Sequence, residues 1–201
     1  MNSNYIAKGI AVTLLQIAKF SVLSLAMVLS IGWVQAQTAK PTVVLHRDGA
    51  GELDADGWTK AKSTNGKYSV DLPTKFKDFT ATHDDPKSPI AQAYGLSARM
   101  MQPIRFTTSR MHFRGGKDAA RKQFEQIKAA AGKRPYKTVK PMRMNDYEAL
   151  EAELEVKKGR AIQRTVLLDE DLFTIIMEYA NTEEAAAMRL APRFFKSVSF
   201  E

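Results

Sequence analysis

Hydrophobic positions along this chain follow three patterns. The first is an apolar run from Phe20 to Val34, with Lys8 and Lys19 as the only charges before it and Val34-Gln35-Ala36 at its end. A positive start, an apolar centre and a small-x-small site predict a secretory signal peptide over residues 1–36, cut after Ala36. The run is fifteen residues, short of the roughly 20 that a membrane span needs. Extending it back to Ile6 would bury Lys19; an uncleaved anchor is the alternative.

The second pattern is strict alternation, which predicts half-buried strands. Tyr68, Val70 and Leu72 alternate with Lys67, Ser69 and Asp71, between the turn pair Asn65-Gly66 and Pro73. Two further strands are predicted near Ala91–Arg99 and Ile104–Phe113. In Tyr147–Val156, Leu150, Ala152, Leu154 and Val156 oppose Glu151, Glu153 and Glu155. Beyond Lys158-Gly159, Ile162, Val166 and Leu168 share a face with Arg164. Leu172–Tyr179 is almost continuously apolar, as a central strand covered on both sides should be. These last three read as an antiparallel meander.

The third pattern is helical. Ala120, Phe124, Ile127 and Ala131 fall on one face, so a helix is predicted over Lys117–Ala131, stopped by Gly132. A last helix follows Asn181 or Thr182 as its cap, with a kink or break expected at Pro192. Residues 37–57, rich in Gly and Asp, read as a flexible N-terminal segment in which Thr42–Leu45 could pair as a short strand. Residues 133–143 read as a basic connection through Pro135 and Pro141, and residues 82–89 as a polar loop. The fold class is α+β, an antiparallel sheet flanked by helices, with the domain over residues 58–201.

Composition narrows the chemistry. The chain has no cysteine, which excludes thiol catalysis, zinc-thiolate sites and a lipid anchor on cysteine. No paired arginine precedes the apolar run, so a twin-arginine route is not expected. Residues 37–201 hold 28 basic and 22 acidic side chains. The charge is segregated: residues 117–143 carry a net +7, and residues 146–184 a net −7.

Two stretches resemble a known family. Gly66-Lys-Tyr-Ser-Val-Asp-Leu-Pro73 is similar to the G-(K/R)-(F/Y)-S-V-x-(L/V)-P opening strand of PsbP-like domains, and Arg193-Phe-Phe-Lys-Ser-Val198 to their closing R-F-F-x-S-F segment. The resemblance implies an αβα sandwich, common among exported proteins. It also implies binding to other proteins, since the family shares no catalytic residues to carry over. The chain departs from the lipoprotein members in lacking a lipidated cysteine.

Other constellations are weaker. Glu52-x-Asp54-x-Asp56-Gly57 partly mimics a calcium loop, but its twelfth position is Ser63 where a bidentate Glu is needed. Met100-Met101, Met111-His112 and Met142-x-Met144 offer soft ligands for copper(I), yet methionine also fills irregular cores. His46, His83 and His112 lack metal-ligand spacing. Gly95-Leu-Ser97-Ala-Arg99 lacks the final glycine of a nucleophile elbow. Gly115-Gly116-Lys117 could hold an anion at a helix start, though glycine there is merely permissive. The basic stretch has no aromatic ladder for stacking bases, so no nucleic acid is expected.

The reading is a periplasmic or secreted, non-enzymatic binding or assembly module, needing no cofactor or metal. Its contact residues would be Lys117, Arg121, Lys128, Arg134 and Lys137, facing a protein partner or an anionic envelope surface. The alternatives are an exported metal-binding protein using the acidic turn or the methionines, and a hydrolase whose site is assembled only by the fold. The last would show as His112 or His83 beside a carboxylate in a concave pocket.

Overall fold

The computed structural model describes residues 40–201, so the signal-peptide expectation lies outside the described residues. In chain order the strands are β1 (Thr42–Ala50), β2 (Thr59–Lys62), β3 (Tyr68–Leu72), β4 (Phe76–Thr82), β5 (Ile90–Arg99) and β6 (Ile104–Phe113). Helix α1 (Gly116–Lys128) follows, then β7 (Tyr136–Met144), β8 (Tyr147–Val156), β9 (Gly159–Leu168) and β10 (Asp171–Tyr179). Helix α2 (Glu184–Lys196) and the short β11 (Ser199–Phe200) complete the chain. Eight strands form one sheet in the order β1-β4-β5-β6-β10-β9-β8-β7, and three form a second in the order β11-β3-β2. Every pairing is antiparallel.

The apolar run Leu172–Tyr179 lies where its composition puts it. Strand β10 sits between β6 and β9, and Glu178 is its only residue not buried. Phe173, Ile175, Met177 and Tyr179 join a core cluster with Tyr68, Val70 and Leu72 of β3 and Phe194 and Phe195 of α2. Leu172 and Ile176 alternate with them and are buried outside that cluster. Two edge-on aromatic contacts tie the layers: Tyr68 to Phe173 at 4.6 Å and Phe106 to Phe194 at 4.9 Å between ring centres. Ala120, Phe124 and Ile127 are the buried residues of α1, which packs against β6, β7, β9 and β10.

Several elements differ from the sequence expectation. Residues 42–50 are not a tether but edge strand β1, registered on β4 from Thr42–Thr82 to Ala50–Phe76. Asp78, fully buried, holds β1 in place: one carboxylate oxygen accepts from Arg47 at 2.7 Å and from the Thr64 hydroxyl at 2.6 Å. The supposed connection after Pro135 is strand β7, the opposite edge of the large sheet. Pro141 has no N–H to give, and an edge strand has one side that needs none. Strands β2 and β4 were also unread. The loop predicted at 82–89 is present between β4 and β5, except that Thr82 still belongs to β4.

Helix α1 ends at Lys128, earlier than expected, and α2 runs through Pro192 without a break. Neither Asn181 nor Thr182 caps α2; both lie in a 3-10 turn, and Glu183 stands at the cap without a side-chain hydrogen bond. The β2–β3 loop is longer than an Asn-Gly hairpin. Its left-handed residue is Lys67, at φ 53°. Gly66 serves close approach instead, because a Cβ there would strike the Tyr68 ring and the Ser63 hydroxyl.

Candidate functional site

Helix α1 and edge strand β7 lie together and carry all five residues of the predicted basic surface or their neighbours. Lys117, Arg121 and Lys128 project from α1, Lys137 from β7, and Arg134 precedes β7. All five are exposed. The fold, however, lays the basic segment beside the acidic one. Strand β7 pairs with β8 so that Lys140 stands opposite Glu151 and Arg143 opposite Glu148. Arg121 reaches Glu148 at 2.5 Å and Glu125 at 3.9 Å; Lys128 reaches Glu125 at 3.6 Å; Arg134 reaches Glu155 at 4.0 Å. The two blocks of charge so distinct in the sequence therefore neutralise one another in part.

What is left is a set of lysines. Lys117, Lys122, Lys133, Lys137 and Lys140 are exposed and have no ion-pair partner among the described residues. Three of them were not singled out from sequence. Register alone does not find them: Lys140 faces Glu151, whose carboxylate is taken by Arg164 instead.

The acidic turn has a resident cation of a different kind. Arg193 of α2 reaches Asp54 at 2.8 Å, Asp71 at 3.2 Å and Asp56 at 3.4 Å, and its guanidinium lies 4.7 Å from the centre of the Trp58 ring. Asp54 also accepts from the Trp58 and Asp56 backbone N–H groups. The Trp58 N–H bond first, and then Arg193, hold the Asp54 carboxyl below its ordinary range. The three acids thus serve as a clamp for arginine, and Glu52 takes no part in it. The same contact joins two of the stretches singled out above, around Asp71 and around Arg193. The Ser197 hydroxyl also accepts from the Asp71 N–H at 2.8 Å.

The methionines are mostly core filling: Met100 and Met142 pack against the cluster that holds Met144 and Met177. Met144 sits in the α2-facing core cluster, Met111 is buried outside it, and Met101 is fully exposed. Among the described residues, no group of three or more His, Asp or Glu side chains could hold a metal ion.

His112 does find a carboxylate. Its Nδ1 lies 2.9 Å from Asp171 Oδ1, across paired residues of β6 and β10. Arg110 donates its Nε–H to the other oxygen at 2.6 Å and its Nη1–H to the Gly66 carbonyl at 3.3 Å. Asp171 orients the imidazole, leaving Nε2 toward solvent on a side chain that is 45% exposed. Among the described residues no hydroxyl hydrogen-bonds to the ring, so none of them supplies the pair with the nucleophile of a triad. A groove of about 380 Å³ lies at the other end of β6 and β10, and its lining holds no histidine. His83 is buried with neither ring nitrogen hydrogen-bonded. Burial, then the charge of Arg114, lowers its pKa. Ser97, half-buried in β5, faces Lys77 and Thr107 across the ladder, and Gly115 opens α1 without a side-chain cap.

No family model matches this chain, and no curated protein does. Among solved structures it is similar to cyanobacterial PsbP (CyanoP) from Synechocystis sp. PCC 6803, with 8% identity and a TM-score of 0.46 over 77% of this chain and 98% of that one. It is also similar to LpqN, described as involved in cell envelope biogenesis of Mycobacterium tuberculosis, with 12% identity and a TM-score of 0.36 over 82% of this chain and 85% of the other. Among the described residues, no helix is long and apolar enough to cross a membrane.

Proposed function

We propose that this protein is an exported, non-enzymatic binding module that sets its α1–β7 edge against an anionic surface of the cell envelope. The observation that carries the reading is the set of five lysines on that edge without ion-pair partners. Lysine on an edge strand, together with Pro141, discourages pairing with another strand. The edge is thus suited to electrostatic contact and unsuited to strand addition. Export rests on the charge and hydropathy order of residues 1–36. In this reading α1 and α2 flank the large sheet from opposite faces, as in the αβα sandwich that the sequence resemblance implies. A basic cluster gains affinity for anionic lipid with each added cation, and salt weakens it.

The test is sedimentation of the purified protein with vesicles of phosphatidylcholine containing phosphatidylglycerol. Binding is expected to grow with the anionic fraction and to fall as salt rises. The triple variant Lys117→Glu/Lys137→Glu/Lys140→Glu should bind at least about tenfold more weakly. Substituting the paired cations Arg121 and Lys128 should do less. Equal binding by the wild type and the triple variant, or none to anionic vesicles at low salt, would overturn the reading.

A further inference from the structure

The loop between β5 and β6 and the turn between β8 and β9 stand on either side of the C-terminal end of β10, with the 380 Å³ groove between them. Its accessible apolar lining comes from Pro103, Val156 and Ala180, with Ile104 and Tyr179 buried beneath. Gly159 sets the position of one wall. A Cβ there would collide with the Tyr179 carbonyl, so the turn carrying Lys158 lies directly on the strand end.

The charges around the groove are unbalanced. Arg99 of β5 stands directly opposite Arg105 of β6, and Arg105 stands opposite Glu178 of β10. Like charges facing across a ladder are unfavourable. Arg105 and Glu178 approach to 3.5 Å and offset one another. Arg99 and Lys158 remain, both exposed and lining the groove, with no ion-pair partner among the described residues. A groove with an apolar lining and two uncompensated cations at its rim is shaped for a molecule of the opposite polarity. Its volume falls at the small end of the ~300–1,000 Å³ typical of small-molecule sites.

We propose that this groove binds a small amphiphile with an anionic head and a short aliphatic tail, the head on Arg99 and Lys158 and the tail along Pro103, Val156 and Ala180. The guanidinium fork of Arg99 matches the two oxygens of a carboxylate or a phosphate monoester. Lys158 adds a second charge without demanding fixed geometry. None of these residues belongs to the α1–β7 edge, so the site stands whether or not that edge binds an anionic surface.

The experiment is an NMR titration of the isotope-labelled protein with octanoate, octyl phosphate and octyl glucoside, each kept below its micelle concentration. Shifts are expected to gather at Arg99, Val156, Lys158 and Ala180 with either anion, and the tighter of the two identifies the head group. The neutral glucoside should bind at least about tenfold more weakly. The double variant Arg99→Gln/Lys158→Gln, altered only at exposed side chains, should weaken the anions by a similar factor and leave the glucoside unchanged. No shifts at millimolar octanoate would overturn the proposal. So would shifts centred elsewhere, or a double variant that binds like the wild type.

Discussion

At the scale of single residues, the most connected polar side chains are the ones that join distant parts of the chain. Arg193 meets three carboxylates and the face of Trp58. Arg193→Ala is expected to lower the thermal midpoint further than Arg134→Ala, whose one partner lies at 4.0 Å; parallel melts of the two variants check this. Asp78 is the second such residue. It is fully buried and takes hydrogen bonds from Arg47 and from both the hydroxyl and the N–H of Thr64. Hydrogen bonds to a charged group are worth about 1.5–3 kcal/mol each. The half-exposed Arg47 could still turn to water after Asp78→Ala. The net loss is therefore expected near 2–3 kcal/mol, read from urea unfolding. Neither role shows in the sequence. Asp78 stands between Lys77 and Phe79 with nothing in the sequence to mark it as buried, and it is the pairing of β4 with β1 and β5, with Thr64 above it, that encloses it.

At the scale of elements, legibility followed periodicity. The strands with clean alternation or long apolar runs, β3, β6, β8, β9 and β10, appear close to where their patterns put them. The strands at the margins did not announce themselves. Strand β1 is mostly exposed, β2 has four residues, and β7 carries a proline and three cations. An edge strand is wetted on one side and buries little, so its hydrophobic signature is faint. The turn between β7 and β8 did leave a trace: Asn145 and Asp146 both take positive φ, a type I′ geometry that these two residue types tolerate. Helix α1 was read from its stripe, and the stripe carries its stability. Phe124 is fully buried, and Phe124→Ala should cost about 3–5 kcal/mol by denaturant titration. The candidate basic surface was half legible. The segment was evident, but which cations remain unpaired depends on where the nearby carboxylates go: Glu151 pairs with Arg164 and not with Lys140 opposite it.

At the scale of the whole molecule, stability should respond to acid through a buried histidine. The fold keeps His83 neutral, because burial and Arg114 lower its pKa from the ordinary 6.5. The unfolded chain binds a proton near that ordinary value. Stability from His83 is therefore complete above about pH 6.5 and declines as pH falls from there toward the folded pKa. Glu178 acts in the opposite sense. Burial raises its pKa, so its contribution is present below its ordinary 4.5 and is lost as pH rises through the folded value. Urea midpoints should drop as the solution is acidified from neutrality, and His83→Phe should flatten that decline; an unchanged slope would rule the histidine out. The arginine clamp has a consequence in time as well as in space. Asp54 and Arg193 are 139 positions apart, and β3 must await β11, which follows α2. A chain emerging from its amino end holds three acids near one another with no guanidinium to gather them. Closure of the small sheet thus waits on α2 and β11, and a nascent chain is expected to keep it open until both have emerged. A chain ending at Leu190 should show fast amide exchange over residues 68–72, whereas the chain through Glu201 should protect them.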